Sequence, residues 1–134
     1  MKNQEIKFKN KSDKYSIFIG ENTLSLLPKK IKILCPKTKK IGIIFDKNLP
    51  VKFKKKLINK LRSYEVSFFT FEASERNKSF KKVNLFLNAL LSKNFYRSDL
   101  IIGIGGGITG DVASFVASIY KRGINFINIP TSLL

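Results

Sequence analysis

The chain has 134 residues, of which 43% are hydrophobic, and its 26 Lys and Arg against 9 Asp and Glu give a net charge of +17. This length and composition fit one globular domain with its own core and argue against global disorder. A single cysteine, Cys35, excludes a disulfide scaffold and a Cys-rich zinc site, and the lack of His excludes catalysis by Ser-His-Asp or Cys-His groups.

The first third of the chain is typical of a short hairpin followed by a small helix and a buried strand. Apolar residues within 6–8 and 15–19 flank a polar stretch, which predicts two strands that can pair. Residues 22–27 predict a short helix that ends near Pro28. Residues 40–46 form an apolar run typical of a buried parallel strand.

The middle of the chain predicts two amphipathic helices separated by a strand at residues 66–71. The first helix covers residues 50–62, with Pro50 in its first turn. Its apolar residues share one face, namely Phe53, Leu57, Ile58 and Leu61. The second helix covers residues 78–92 and is predicted to bury Phe80, Val83, Leu87, Leu90 and Leu91.

The last third predicts a buried strand at residues 100–104, a glycine-rich loop at 105–110 and a helix that ends at Lys121. The apolar positions of that helix have helical spacing and are predicted to face inward, namely Val112, Phe115, Val116 and Ile119. A final strand at residues 124–129 ends at Pro130. Because strands and helices alternate, we predict an α/β fold, with a Rossmann-like, mostly parallel sheet and helices on both faces.

The positive charge is unevenly distributed along the chain. Residues 1–98 carry 24 basic and 7 acidic residues, whereas residues 99–134 sum to zero. The excess is mostly Lys, scattered over several segments, which predicts solvated surfaces with no specific nucleic-acid partner. Residues 100–120 are apolar but contain five glycines and Asp111, so we predict no membrane span. No secretory signal is visible, and we expect a cytoplasmic protein.

Residues 105–111 form the segment that indicates chemistry. Glycines between a buried strand and a helix let the backbone approach a ligand and adopt positive φ. The helix that follows presents unpaired N–H groups and the positive end of its dipole, which suits a pyrophosphate. The segment is not the usual G-x-G-x-x-G fingerprint with an acidic residue downstream, because no Asp or Glu follows Asp111, and a tight turn packed against a neighbour is the alternative.

Two further polar groups follow this segment. Lys121 and Arg122 suit the end of a helix, with Gly123 as a left-handed cap, but Arg122 also has the planar fork that binds phosphate or carboxylate. Thr131 and Ser132 follow the last strand at the edge of the sheet where the glycines are expected. Their hydroxyls suit a ligand, although a solvated turn has the same composition.

These residues, in this order, resemble the 3-dehydroquinate synthase family, over roughly residues 14–134. The family's GGG-x-x-GD segment matches residues 105–111, its Y-x-RG matches residues 120–123, and its P-T-T-L-L matches residues 130–134 with Ser132 in place of the second Thr. Residues 74–78 are similar to the family's G-E-x-x-K, with Ser74 in place of Gly. Residues 46–48 match its D-x-N. Ser114 replaces a helix Gly of the family.

The resemblance implies that residues 1–134 form an NAD-binding domain, with the N-terminal strands at about 6–19 and a nucleotide-binding core at about 40–134. It implies cofactor contacts from the residues that match the family motifs, namely Asp46, Asn48, Glu75, Lys78, Gly105, Gly106, Gly107, Ile108, Thr109, Gly110, Asp111, Thr131 and Ser132. Asp46 and Asn48 would lie at the ribose and nicotinamide, and Glu75 and Lys78 at the adenosine. Arg122 would bind the phosphate of a small substrate across a subunit interface.

The resemblance also implies what the chain does not contain. The family continues into a helical C-terminal domain that supplies substrate-binding lysines and the ligands of a divalent metal, zinc or cobalt, usually one Glu and two His. This sequence has no His. We therefore expect an N-terminal half that needs its missing C-terminal half or a homodimer partner, and that is inactive alone. A non-catalytic nucleotide-binding remnant and a fragment of a sister sugar-phosphate cyclase are the alternatives.

Overall fold

The computed structural model describes residues 2–132. Within this range the chain forms six strands, which are β1 Gln4–Lys9, β2 Lys14–Ile19, β3 Lys40–Asp46, β4 Glu65–Phe71, β5 Leu100–Gly105 and β6 Asn125–Pro130. It also forms α-helices α1 Leu27–Leu34, α2 Val51–Lys60, α3 Phe80–Ser92 and α4 Gly107–Ile119. Three 3₁₀ turns cover Thr23–Leu26, Glu75–Asn77 and Tyr120–Arg122. Among these helices none combines the length and hydropathy that a membrane span requires.

The larger sheet has four parallel strands in the order β4-β3-β5-β6. Phe45 pairs with Ile104, and Gly105 pairs with Pro130, so the carboxyl ends of β3, β5 and β6 meet at one edge. This confirms the predicted α/β fold with a parallel sheet. The hairpin is also confirmed, but β1 and β2 form a separate antiparallel sheet, and most of their side chains are exposed.

Helices cover both faces of the parallel sheet, as predicted. Ile41, Ile43 and Phe45 of β3 pack on the side of α1 and α2, whereas Ile44 packs on the side of α3 and α4. All six residues of the central strand β5 are buried, which explains why its sequence is continuously apolar. Burying each such aliphatic side chain contributes about 1.5–3 kcal/mol before the entropy cost of folding is counted.

The predicted end of a helix at Pro28 is wrong. The 3₁₀ turn at Thr23–Leu26 passes directly into α1, and Pro28 lies in the first turn of that helix. Proline is compatible with this position because the first N–H groups of a helix have no intrahelical acceptor.

Helix α3 begins later than predicted, and its buried face is rotated. Ser79 caps the helix by accepting a hydrogen bond from the Lys82 N–H at 3.4 Å, so Phe80 is the first helical residue. Phe80 is 81% exposed and Leu91 is also exposed, contrary to the prediction. The buried face is formed by Val83, Phe86 and Leu90. Similarly, Ile58 of α2 is exposed rather than buried.

Helix α4 buries Val112 and Val116 as predicted, but smaller residues replace Phe115 and Ile119 on its inward face. Its inward positions are Thr109, Val112, Ala113, Val116 and Ala117, followed by Tyr120. A Cβ added to Gly103 of β5 would lie only 2.8 Å from the Cβ of Ala113, so the helix lies very close to the sheet. This close approach has no room for rings, and Phe115 and Ile119 therefore face outward, 42% and 44% exposed.

Candidate functional site

Polar residues of several sequence motifs meet at the carboxyl edge of the parallel sheet. Asp46 ends β3, and its carboxylate Oδ1 accepts the Asn48 N–H at 2.9 Å. The Thr131 N–H, just after β6, donates to the Gly105 carbonyl at the end of β5 at 2.8 Å. The structure therefore places Asp46, Asn48, Gly105 and Thr131 along one edge, where open α/β sheets bind ligands. Leu133 and Leu134 of the P-T-S-L-L motif lie outside the described residues.

The glycine segment is shorter than the predicted loop. Strand β5 includes Gly105, and α4 begins at Gly107, so only Gly106 lies between them. Ile108, Thr109 and Gly110 form the first turn of the helix, and the Gly110 N–H already donates to the Gly106 carbonyl at 3.0 Å. The N–H groups of residues 107–109 precede this bond and have no intrahelical acceptor, so they suit an anion.

Each glycine at this edge has a different steric role. A Cβ on Gly105 would lie 2.7 Å from both Cβ and Oγ1 of Thr109, so a side chain there would displace the helix. Gly106 has φ of −77°, so the expectation of positive φ is wrong at this residue. Within the part of the chain that the structure describes, a Cβ on Gly106 would meet only the Ser132 hydroxyl, at 3.3 Å. Gly106 therefore leaves open space beside the start of α4, and its replacement would fill that space without disturbing the core.

A buried hydroxyl without a partner lies under this segment. Thr109 is 0% exposed, and its Oγ1 has no hydrogen-bond partner among residues 2–132. An unsatisfied buried hydroxyl costs about 1–3 kcal/mol, so such groups are uncommon unless a ligand or a water supplies the bond. The N–H groups of residues 107–109 and the space at Gly106 suit the phosphate oxygens of a nucleotide. The Thr109 hydroxyl lies behind them against Gly105, where a ligand reaches it only if the segment shifts.

An ion pair joins two motif residues beside the start of α4. The Lys78 ammonium contacts the Asp111 carboxylate at 2.8 Å, and both side chains are about half exposed. The hydrogen bond to Asp111 and the negative charge of that carboxylate raise the pKa of Lys78, with a smaller effect from the charge of Glu75. The structure thus brings the two predicted residues Lys78 and Asp111 into contact, with Glu75 in the preceding 3₁₀ turn.

Arg122 lies far from these residues in the same chain. It is in the 3₁₀ turn that follows α4, next to the amino end of β6. A helix of this length spans about 20 Å, so Arg122 is at the opposite edge of the sheet from Gly106. Lys121 and Arg122 both have left-handed backbone, with φ of 45° and 67°, an uncommon conformation for two adjacent non-glycine residues. The Lys121 ammonium lies 5.1 Å from the centre of the Tyr96 ring.

Two features of this edge were not predicted from the sequence. A Cβ on Gly110 would lie 3.2 Å from Oδ1 of Asn128, so this glycine allows α4 to pack against β6. Lys47 and Glu72, which follow β3 and β4, form an ion pair at 3.1 Å. Asn128 interrupts the apolar run of residues 126–129 in β6, and that interruption is the signal that could have identified it.

The part of the chain that the structure describes, residues 2–132, contains no group of three His, Cys, Asp or Glu that could hold a metal ion. The donor set does not fit a divalent metal, and we assign no metal-dependent step to these residues.

Comparison with known proteins shows which family this chain is similar to. A sequence profile described as 3-dehydroquinate synthase N-terminal matches residues 68–134. The 3-dehydroquinate synthase of Pelagibacter ubique is 44% identical over 97% of this chain and 35% of the relative. That of Vesicomyosocius okutanii is 40% identical over 90% of this chain and 33% of the relative. The chain therefore spans about a third of the length of these relatives.

Solved structures share the fold of the chain. A crystal structure of 2-deoxy-scyllo-inosose synthase has a TM-score of 0.83 at 23% identity, covering 97% of this chain and 36% of that protein. A second structure of that enzyme, complexed with carbaglucose-6-phosphate, NAD+ and Co2+, has the same TM-score and identity and covers 98% of this chain and 35% of that one. At this identity the likeness establishes the fold alone.

Proposed function

Because the chain belongs to the 3-dehydroquinate synthase family, we propose that it is an NAD-binding domain that holds the cofactor diphosphate at the start of α4. The observation that carries the proposal is the start of α4, where the N–H groups of residues 107–109 have no intrahelical acceptor and Gly106 leaves space for a ligand. The positive end of the α4 dipole adds a favourable field for the diphosphate charge. A solved relative of the same fold contains NAD+, which agrees with this assignment.

The other motif residues are proposed to contact the rest of the cofactor. Asp46 and Asn48, at the end of β3, would bind the ribose and nicotinamide side. Glu75 and Lys78 would bind the adenosine half, with Asp111 next to Lys78. Thr131 and Ser132, which follow β6, would border the diphosphate opposite Gly106. These roles come from the family resemblance, and the common position at one sheet edge supports them.

We propose that the whole protein converts a phosphorylated seven-carbon sugar acid to 3-dehydroquinate with release of phosphate, a step of the shikimate pathway. NAD, when bound, supplies the hydride acceptor for transient oxidation of a substrate alcohol. The residues of this chain bind and orient the cofactor at the sheet edge. The relatives at 40% identity or more over most of the chain bear this enzyme's name, which favours it over a sister cyclase.

Arg122 is proposed to act in the substrate site of a second subunit. About 20 Å separates the two ends of α4, too far for Arg122 to reach a substrate beside Gly106 of the same chain. This distance supports the role that the resemblance implies, in which Arg122 binds the substrate phosphate in the site of a second subunit. The guanidinium suits this role because its planar fork binds phosphate through two parallel hydrogen bonds.

Calorimetric titration of the purified chain with NAD tests the nucleotide site. We expect a dissociation constant on the order of millimolar, about −4 kcal/mol, because the chain spans only about a third of its relatives' length. Gly106→Val should abolish the binding, since its side chain would occupy the diphosphate position while the backbone φ of −77° remains allowed. Asn59→Val, on exposed α2 at the other face of the sheet, is the matched control and should bind like wild type.

Equal affinity of wild type and Gly106→Val would show that the glycine segment is only a turn. We also expect the isolated chain to release no phosphate from the family substrate in the presence of NAD and Co2+. The chain covers only 35% of the length of a relative that is named 3-dehydroquinate synthase. Phosphate release above the enzyme-free rate would contradict that expectation and leave the nucleotide proposal intact.

A further inference from the structure

The helices on the two faces of the parallel sheet differ in charge. Helices α1 and α2 cover one face and contain eight Lys and no acidic residue, whereas α3 and α4 cover the other and contain two Lys and one Asp. The sequence predicted lysines scattered over several segments, but the fold collects eight of the 22 on one surface, the lysine face. Its members are Lys29, Lys30 and Lys32 of α1 and Lys52, Lys54, Lys55, Lys56 and Lys60 of α2.

Helix α2 presents part of the lysine face as an outward row. Lys52, Lys55 and Lys56 have i, i+3, i+4 spacing and are exposed, whereas Leu57 is buried against the sheet. Like charges at this spacing destabilise a helix, because the side chains of positions i and i+4 are neighbours. An anion that neutralises the row would therefore also relieve this repulsion.

Within residues 2–132, no acidic side chain forms an ion pair with a lysine of α1 or α2. The two half-buried lysines contact aromatic rings instead. The Lys54 ammonium lies 4.6 Å from the centre of the Phe68 ring, and the Lys30 ammonium lies 4.7 Å from that of Phe18. Such contacts leave the positive charge in place, so the lysine face attracts a polyanion.

The burial of the apolar helix faces favours a nucleic acid over a membrane as that polyanion. A helix that lies on a bilayer inserts its apolar face, but α1 and α2 pack theirs on the sheet through Ile31 and Leu57, which are 0% and 2% exposed. A duplex requires only cations along its backbone. The ten-residue helix α2 is about 15 Å long, and a duplex carries about nine phosphate charges over that length.

We infer that the lysine face binds the phosphate backbone of double-stranded nucleic acid without reading its sequence. Base recognition in the major groove most often uses the planar fork of Arg, and neither α1 nor α2 contains an Arg. The lysine ammonium binds phosphate as a point charge and carries no sequence information. The binding is therefore non-specific, and it does not depend on the proposed nucleotide site.

Fluorescence anisotropy of a labelled 20-base-pair DNA duplex, titrated with the purified chain at several NaCl concentrations, tests the binding. We expect the dissociation constant to rise at least tenfold between 50 and 150 mM NaCl, because each neutralised phosphate adds about −0.9 to the slope of log K against log salt. Two duplexes of unrelated sequence should bind within threefold of each other. An affinity that does not depend on salt, or a preference above tenfold for one sequence, would overturn the inference.

Two variants of equal net charge test which surface binds the duplex. The test variant removes the outward row of α2, by Lys52→Gln, Lys55→Gln and Lys56→Gln. The control variant removes the same charge from the exposed hairpin, by Lys9→Gln, Lys11→Gln and Lys14→Gln. Gln has nearly the helix propensity of Lys, so both variants should keep the circular dichroism spectrum of wild type.

The α2 variant should bind the duplex at least tenfold more weakly than wild type at 100 mM NaCl, with a salt slope that is flatter by about 2–3. The hairpin variant should bind within threefold of wild type. Equal losses in the two variants would mean that net charge alone drives the binding, and they would overturn the inference.

Sedimentation with vesicles of phosphatidylcholine and phosphatidylserine tests the membrane alternative. At equal phosphate concentration in 100 mM NaCl, we expect less of the chain to bind the vesicles than the duplex. Tighter binding to the vesicles would identify a membrane surface and would overturn the inference. Because none of these assays uses NAD, loss of duplex binding and loss of nucleotide binding are distinguishable.

Discussion

The two ends of the central strand β5 differ in how their buried polar side chains are hydrogen-bonded. At the amino end, the Asp99 carboxylate is 2% exposed and accepts three backbone hydrogen bonds, from Lys39, Lys40 and Tyr96. Close by, the Tyr120 hydroxyl donates to the Phe95 carbonyl at 2.8 Å. At the carboxyl end, the Thr109 hydroxyl is equally buried and has no hydrogen-bond partner in the described part of the chain.

This difference indicates that one end of β5 stabilises the fold and the other end binds a ligand. Buried polar groups that find partners within the chain fix how loops join the sheet, and they are complete without a ligand. A buried group without a partner is costly unless something outside the chain binds it. The amino end of β5 therefore serves the fold, and the carboxyl end is left for a ligand.

The largest predicted effect is at the amino end. Asp99→Ala would leave the N–H groups of Lys39, Lys40 and Tyr96 without their acceptor, and we expect a loss of about 3 kcal/mol or more in the free energy of unfolding. Urea denaturation, monitored by circular dichroism, measures this change in the free energy of unfolding. Asp13→Ala, which removes an exposed carboxylate in the hairpin loop, should change stability by less than about 0.5 kcal/mol. Similar values for both variants would contradict a structural role for Asp99.

A smaller loss is expected for Tyr120→Phe. The substitution keeps the buried ring but leaves the Phe95 carbonyl without its donor, which costs about 1–2 kcal/mol. Burial, and to a lesser extent the charge of Asp99, raises the pKa of Tyr120 above its usual value near 10. The unfolded chain therefore loses the phenol proton first, and wild-type stability decreases as pH rises through and above 10.

The phenylalanine variant has no phenol proton at this position. The stability difference between wild type and Tyr120→Phe should consequently narrow above pH 10, as thermal denaturation at pH 8 and pH 10.5 would reveal. If the stability difference between the two proteins were the same at pH 8 and pH 10.5, the fold would not favour the protonated form of the Tyr120 hydroxyl.

The sequence predicted the order of elements because apolar runs and glycines mark them directly. The strand at residues 40–46 was predicted with its observed bounds, and the motifs that follow β3, β5 and β6 meet at the predicted edge of the sheet. Which helix face is buried was less predictable. Phe115 and Ile119 have the spacing of a buried stripe, but the close approach of Ala113 to Gly103 excludes them from the interior.

The sequence predicted which residues belong to the candidate site but not how they contact one another. Motif order identified Lys78 and Asp111, but their contact depends on how α3 and α4 pack, which no local pattern encodes. The unpartnered state of Thr109 likewise depends on tertiary structure, because its burial comes from the packing of α4 against Gly105. The contrast between the two ends of β5 could therefore be found only in the folded chain.

The smallest expected effect on stability is at the carboxyl end, for Thr109→Val. Valine has nearly the same shape as threonine, and the hydroxyl that it removes makes no hydrogen bond in the chain. Removing an unsatisfied buried polar group is neutral or stabilising, so we expect a change within about 0.5 kcal/mol, in contrast to Tyr120→Phe. NAD affinity should fall severalfold at the same time, because the hydroxyl is proposed to complete the diphosphate site once the segment shifts. Urea denaturation and calorimetric titration of the same preparation measure both quantities. A stability loss as large as that of Tyr120→Phe, with unchanged NAD affinity, would mean that the Thr109 hydroxyl serves the fold, and the two ends of β5 would then no longer differ.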